Sequence, residues 1–223
     1  MKIVLFGNGR FASLAWYCLT HDSEDEVVGF TVDKTYLTET RLHGLPVVDF
    51  AKVQDVFDPQ DHAMLVHVGG ARMNGLRIDR CAAAQSKGYR LARYVSSRAL
   101  TWPDLRAGPN TVIYEGVIVQ PFATIGDNVI VRSAVHISHH VTLADHCFIA
   151  AGACLGGGAA IGSRCFVGLN ATIRDGVNIA EGCLIAAGAL VTADTEPDGL
   201  YLGVPARRAA TPASQVTQSL GSE

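Results

Sequence analysis

An α/β N-terminal domain followed by a left-handed parallel β-helix is the fold class predicted by this sequence of 223 residues. Three observations predict it. A compact apolar run, KIVLF, leads into a glycine turn, a helix-like stretch and a second apolar run that ends on an acid. From Ile113 to Val191 a branched aliphatic recurs every six positions without a miss. Between these two regions lies SSRALTWPDLRAGPNT, where Pro103 and Pro109 punctuate the chain.

The first region covers residues 1–95. KIVLF reads as a strand, Gly7-Asn8-Gly9-Arg10 as a turn, FASLAWYCLTH as a helix and EVVGFTV as a second strand ending at Asp33. Strand, glycine turn, helix, strand and acid is the layout of a half-Rossmann nucleotide-binding unit. Gly7, Asn8, Gly9 and Arg10 would present backbone amides to a phosphate at the helix N-terminus, while Asp33 and Lys34 would reach a ribose or base. The same glycines also suit a turn needed only for tight packing. MLVHVGG, from Met64 to Gly70, reads as a third strand and Arg72 to Lys87 as the next helix, so Gly69 and Arg72 border the same crevice. Residues 96–111 read as a linker.

Residues 112–195 follow the period of six. The aliphatic positions run Ile113, Val119, Ile125 and onward to Val191, fourteen of fourteen, and four places after each comes a second site, Val117 through Thr195, that is never large or charged. A helix or an alternating strand gives no such pattern; a hexapeptide repeat does. Each hexapeptide forms one face of a triangular prism and three complete a coil, so a residue lies over the one eighteen places on, at a coil spacing of about 4.8 Å. Such coils are left-handed, an exception to the usual crossover. Cys147, Cys165 and Cys183 should stack as small corner fillers. Residues 196–223 form a C-terminal segment, with TPASQVTQSLGSE from Thr211 read as a loose tail.

A formal net charge of -3 and the absence of a lysine cluster argue against nucleic acid as a partner. KIVLF is too short for a signal segment or membrane span, and six cysteines without a C-x-x-C pair fit a reducing compartment. The expectation is a cytoplasmic protein with no membrane span.

Four of the eight histidines fall within HISHHVTLADHCF. Ile137, Leu143, Val141 and Cys147 occupy structural positions of the repeat, which leaves His136, His139, His140 and His146 pointing outward. An outward imidazole can move a proton or hold zinc. Hexapeptide carbonic anhydrases take three histidines from well-separated coils; here no histidine follows His146, and no metal is expected.

The half-Rossmann unit, the unbroken coils and a C-terminal LGVPARR together resemble the family of sialic acid O-acetyltransferases and UDP-4-amino-sugar N-acetyltransferases, over essentially the whole chain. The resemblance implies an acetyltransferase that is a homotrimer, with acetyl-CoA in the groove between neighbouring prisms and a nucleotide-linked sugar as acceptor. It implies a histidine general base at His139, an oxyanion donor at the Gly157 amide, and acetyl-CoA contacts at Gly157, Leu169 and Ala187. The acid that usually follows the base is replaced by His140, itself the alternative base; Asp145 or a neighbouring subunit is the candidate substitute. Phe148 and Arg132 also stand where relatives carry histidine and asparagine. O-acetylation of a free or polymer-linked sugar such as sialic acid is the alternative activity. An NAD-dependent sugar oxidoreductase would explain Gly7, Gly9 and Asp33 but not the coils. A non-catalytic trimeric scaffold would explain the coils but not the outward histidines.

Overall fold

The computed structural model describes residues 1–70 and 72–216, in two compact units. The first comprises Met1–Gly69 and Leu76–Arg93, and the second Gly70–Gly75 and the chain from Tyr94 onward.

The first unit is a sheet with helices. Strands β1 (Lys2–Phe6) and β2 (Glu26–Val32) are joined by α1 (Arg10–Asp22). Then come β3 (Arg41–Leu42), β4 (Leu45–Asp49), a four-residue α2 (Val53–Val56), β5 (His62–Val66), α3 (Gly75–Ser86) and β6 (Arg90–Leu91). The order is β3-β4-β2-β1-β5-β6, parallel throughout except for the β3–β4 pair. Ile3, Val4, Leu5, Met64, Leu65 and Val66 are wholly buried, as central parallel strands require when both faces are covered. Helix α1 buries Ala12, Ala15 and Leu19, one apolar stripe of a 3.6-residue period.

Two expectations for this region fail at one place. The third strand ends at Val66 rather than Gly70, and the following helix begins at Gly75 rather than Arg72. Arg72, Met73 and Asn74 have φ of 54°, 49° and 64°, left-handed backbone that a right-handed helix cannot contain. The segment instead belongs to the second unit. Met73 packs there with Leu184 and Ala213, and Asn74 Nδ2 donates to Cys165 O at 3.4 Å.

The second unit is the predicted prism. Its two-residue strands pair in parallel with partners eighteen residues on, as in His136↔Cys154 and Ile137↔Leu155, and so build three ladders. All fourteen aliphatics of the repeat are buried, as is every corner site from Val117 to Ala189. Each fully buried aliphatic is worth about 1.5–3 kcal/mol relative to leaving it exposed. The thiols of Cys147, Cys165 and Cys183 donate to carbonyls of the next coil, each at 3.1 Å. The Cys147 thiol beside it and burial together push the Cys165 thiol up, away from the reactive thiolate.

The supposed linker 96–111 is a coil. Tyr94–Val95 pairs with Val112–Ile113, Leu100 bridges to Ile118, and Arg106–Ala107 pairs with Thr124–Ile125. The period hides it because the aliphatic positions of the repeat read there as a half-buried Val95, an exposed Thr101 and a half-buried Ala107. At the other end the ladder passes residue 195: Leu200–Leu202 pairs with Leu184–Ile185 after a shortened turn, then folds back on Arg207–Arg208. The tail reading also changes, because Ala213–Val216 forms a helical turn, α4, with Ala213 buried. Residues 217–223 lie outside the described residues.

Candidate active site

The prism turns at three corners, and each corner is a column of two-residue turns eighteen positions apart. One column holds Pro121-Phe122, His139-His140, Gly157-Gly158 and Asp175-Gly176. Another holds Asp127-Asn128, Asp145-His146 and Ser163-Arg164. The third holds Leu169-Asn170 and Ala187-Gly188, joined by the bond from Gly188 N–H to Leu169 O at 2.7 Å.

The histidine cluster is therefore dispersed. His136 lies on a flat face, in the strand His136–Ile137. His146 belongs to the second corner, where Asn110 Nδ2 donates to Asn128 Oδ1 at 2.9 Å and Asn128 Nδ2 donates to His146 Nδ1 at 3.0 Å. His139 and His140 remain together, both exposed, on the first corner. Among the described residues no group of three His, Cys, Asp or Glu stands where it could hold a metal.

His139 is fixed from both sides. Its backbone N–H donates to Gln120 Oε1 at 2.9 Å, and its carbonyl accepts from Gly158 N–H at 2.8 Å. Its ring lies directly over Gly157: a Cβ there would come within 2.6 Å of Cε1 and 2.8 Å of Nε2. Its Nδ1 faces His140 Nδ1 at 3.2 Å, with the rings edge to face at 83°. Phe122, one coil below, lies 4.8 Å from the His140 ring and forms a wall of a cavity of about 230 Å³.

The oxyanion assignment of Gly157 does not hold in this structure. Its N–H already donates to Asp175 Oδ1 at 2.5 Å. This is a recurring tie between coils, repeated where Asp127 N–H donates to Asp145 Oδ1 and Asn178 N–H to Asp194 Oδ1, each at 2.8 Å. The same tie removes Asp145 as the substitute acid, because its carboxylate serves a different corner. Burial and the Asp145 carboxylate hold the Asp127 carboxyl above its usual range. The two N–H groups of Asn178 pull Asp194 below it.

In the first unit, Gly7, Asn8 and Gly9 follow β1 and Asp33 follows β2, so the carboxyl ends of adjacent parallel strands carry them. Gly7, at φ 127°, has no room for a side chain: a Cβ would stand 3.1 Å from His67 O. Gly9 caps α1 without a side-chain bond. Asn8 Nδ2 donates to Tyr36 O at 2.8 Å, Arg10 and Lys34 are exposed, and Gly69 is buried beyond β5. Arg72 belongs to the segment Gly70–Gly75 of the second unit. Arg80, which no sequence pattern singles out, pairs with Asp33 at 3.2 Å. Gln120, Phe122 and Asp175 were also missed, although offsets of eighteen and nineteen from the turn residues mark all three.

Two family models cover adjoining parts of the second unit: "Bacterial transferase hexapeptide (six repeats)" matches residues 122–157 and "Hexapeptide repeat of succinyl-transferase" matches residues 158–193. Residues 122–193 are hexapeptide repeats. No curated protein matches the sequence. Among solved structures, the acetyltransferase domain of PglB from Neisseria gonorrhoeae is 23% identical, with a TM-score of 0.83 over 93% of this chain and 99% of that one. PerB from Caulobacter crescentus, solved with CoA and GDP-perosamine, is 24% identical, with a TM-score of 0.83 over 94% of this chain and 98% of that one. WeeI from Acinetobacter baumannii is 18% identical, with a TM-score of 0.81 over 94% and 100%. These likenesses establish the fold along nearly the whole chain: an α/β unit followed by a left-handed hexapeptide β-helix.

Proposed function

We propose that this protein is an acetyltransferase that moves an acetyl group from acetyl-CoA to an amino or hydroxyl group of a nucleotide-linked sugar, with His139 as general base. The observation that carries the reading is the exposed His139 ring, held against Gly157 with Nδ1 engaged by His140. Its structural neighbours support the substrate class, one of them having been solved with CoA and GDP-perosamine.

In this reading the acceptor attacks the thioester carbonyl while its proton passes to His139 Nε2. The tetrahedral intermediate then collapses, and the departing CoA sulfur takes that proton back. Gly157 serves as the surface on which the imidazole rests, a place where a side chain would not fit. The nucleotide of the acceptor lies at Gly7, Asn8, Gly9 and Arg10, with Asp33 held by Arg80. Leu169 and Ala187 line the path of acetyl-CoA. They stand on a different corner from His139, so the groove needs two prisms side by side, as in a homotrimer. Both co-substrates place the reaction in the cytoplasm, and among the described residues no helix is long and apolar enough to cross a membrane.

The test is a panel of UDP-, dTDP-, GDP- and CMP-linked sugars, amino and hydroxyl, with acetyl-CoA, read as thiol release. A turnover that needs one nucleotide sugar and disappears in His139→Ala, with the oligomer intact, is the expected result. Full acetyl transfer by His139→Ala would refute the assignment of the base.

A further inference from the structure

We infer that His140 is the positioning residue of the base: its Nδ1 accepts the Nδ1–H of His139 and thereby leaves the lone pair of His139 on Nε2. This rests on the reading of His139 as the base. Between two imidazole nitrogens 3.2 Å apart one must donate and the other accept. A base that works through Nε2 carries its proton on Nδ1, so His140 is the acceptor, and its own proton sits on Nε2.

His140 occupies the second turn position with φ 59°, in the left-handed region. One and two coils further along the same column that position is Gly158 and Gly176, at φ 68° and 69°, where glycine meets the conformation without strain. One coil below it is Phe122, at φ 68°. The second position of the other turns takes the same conformation, as at Asn128, Ala134, Arg164 and Asn170, so the turn itself accepts a histidine at 140. Phe122 has its ring 4.8 Å from that of His140 and sets its tilt.

The ionisable groups around the dyad are few. The Asp175 carboxylate is two coils above and accepts from Gly157 N–H. No ion pair among the described residues reaches either imidazole. A neutral acceptor therefore does here the orienting work that a carboxylate does elsewhere. During transfer the proton from the acceptor substrate goes to His139 Nε2, and the Nδ1–H stays on His139, bonded to His140. The positive charge is shared across that bond until the proton leaves with the CoA sulfur.

Three variants test this, with kcat, both KM values, the pH profile and thermal melting measured on the full-length oligomer. His140→Phe keeps a flat ring and removes the acceptor: kcat should fall roughly 10- to 100-fold with both KM values and melting little changed. His140→Asp restores an acceptor, so kcat should recover. Because a carboxylate favours the charged imidazole, the acid limb of the profile should move to higher pH than in the parent. His140→Asn, whose amide oxygen also accepts, should fall between the two. A His140→Phe enzyme with parental kcat and pH profile overturns the inference, as does a His140→Asp enzyme no better than His140→Phe. Should the variants fail to assemble, nitrogen NMR of ¹⁵N-histidine in the parent decides: the proton of His139 on Nδ1 supports the inference and on Nε2 overturns it. Loss in His139→Ala with no effect of His140 changes sinks this inference alone; full activity in His139→Ala sinks the underlying reading.

Discussion

Gly157→Ala isolates the contact between His139, the proposed base, and the coil above it. The φ of Gly157 lies outside the left-handed region, so alanine fits the backbone. What it meets is the imidazole, with Cε1 at 2.6 Å, Nε2 at 2.8 Å and Nδ1 at 3.3 Å from the new methyl carbon. Carbon atoms in contact rest about 3.5–4.0 Å apart, so the ring must retreat by about 1 Å. Retreat strains the 3.2 Å bond to His140 as well. A displacement of about 1 Å at a reacting group lowers the rate on the order of 100-fold. Stability should hardly change, since the ring that must move belongs to an exposed side chain and alanine in place of glycine stiffens the unfolded chain, an effect worth about 0.4–1 kcal/mol. The assay is thiol release from acetyl-CoA at saturating acceptor, beside a thermal melt and a sizing column. A variant with kcat within about two-fold of the parent would show that the position of the ring does not matter. A variant that loses activity only because the fold melts would equally refute the reasoning.

Two more predictions concern the flanks of the site. Arg80→Ala removes the partner of Asp33, a half-exposed pair worth at most about 1 kcal/mol to the fold. Its melting temperature should hold while KM for the nucleotide sugar rises and KM for acetyl-CoA does not, as steady-state kinetics with each substrate varied will show. Asp127 has a carboxyl held above its usual range by burial and by Asp145, so the folded chain keeps its proton longer than the unfolded chain does. The contribution of that proton is present at low pH and is lost as pH rises through the folded value. Asp127→Asn should therefore melt higher than the parent at neutral pH, with the advantage vanishing in acid; melts across pH 3 to 7 (about the range set by carboxyl titration) check the sign.

The prism was legible in the sequence because its two restricted positions are imposed by packing alone. A bulky or charged residue at Ala153 or Cys165 has nowhere to go, and the period records that directly. Where packing relaxes, the record stops. The first coil, with an exposed Thr101 and a half-buried Ala107 where the repeat elsewhere has buried aliphatics, is held by ladder bonds that any residue can make, so it reads as a linker. Arg72, Met73 and Asn74 look helical by composition but adopt left-handed backbone, which composition does not encode. The phase leaves four histidines pointing outward, and only the family resemblance picks His139 among them. The Gly157 amide was misassigned because the offset of eighteen that stacks it on His139 also stacks Asp175 on Gly157, and the second consequence takes its N–H.

The corners of the prism also bear on assembly. His139 and Gly157 occupy one column, Leu169 and Ala187 another, and a flat strand face lies between them. Both columns can line one cleft only if the first corner of one prism faces the third corner of its neighbour. Each site then takes its base from one chain and its acetyl-CoA wall from another. Two inactive variants should rescue each other when co-expressed: His139→Ala, which lacks the base, and Ala187→Trp, which fills the groove at an exposed position. With random mixing in equal amounts, half the chains carry His139 and half the neighbouring walls are open, so about a quarter of the parental activity should return. Thiol release from separately tagged, doubly purified oligomers measures it. Activity no higher than that of either variant alone would mean that one chain contains the whole site, and the shared groove would have to be abandoned.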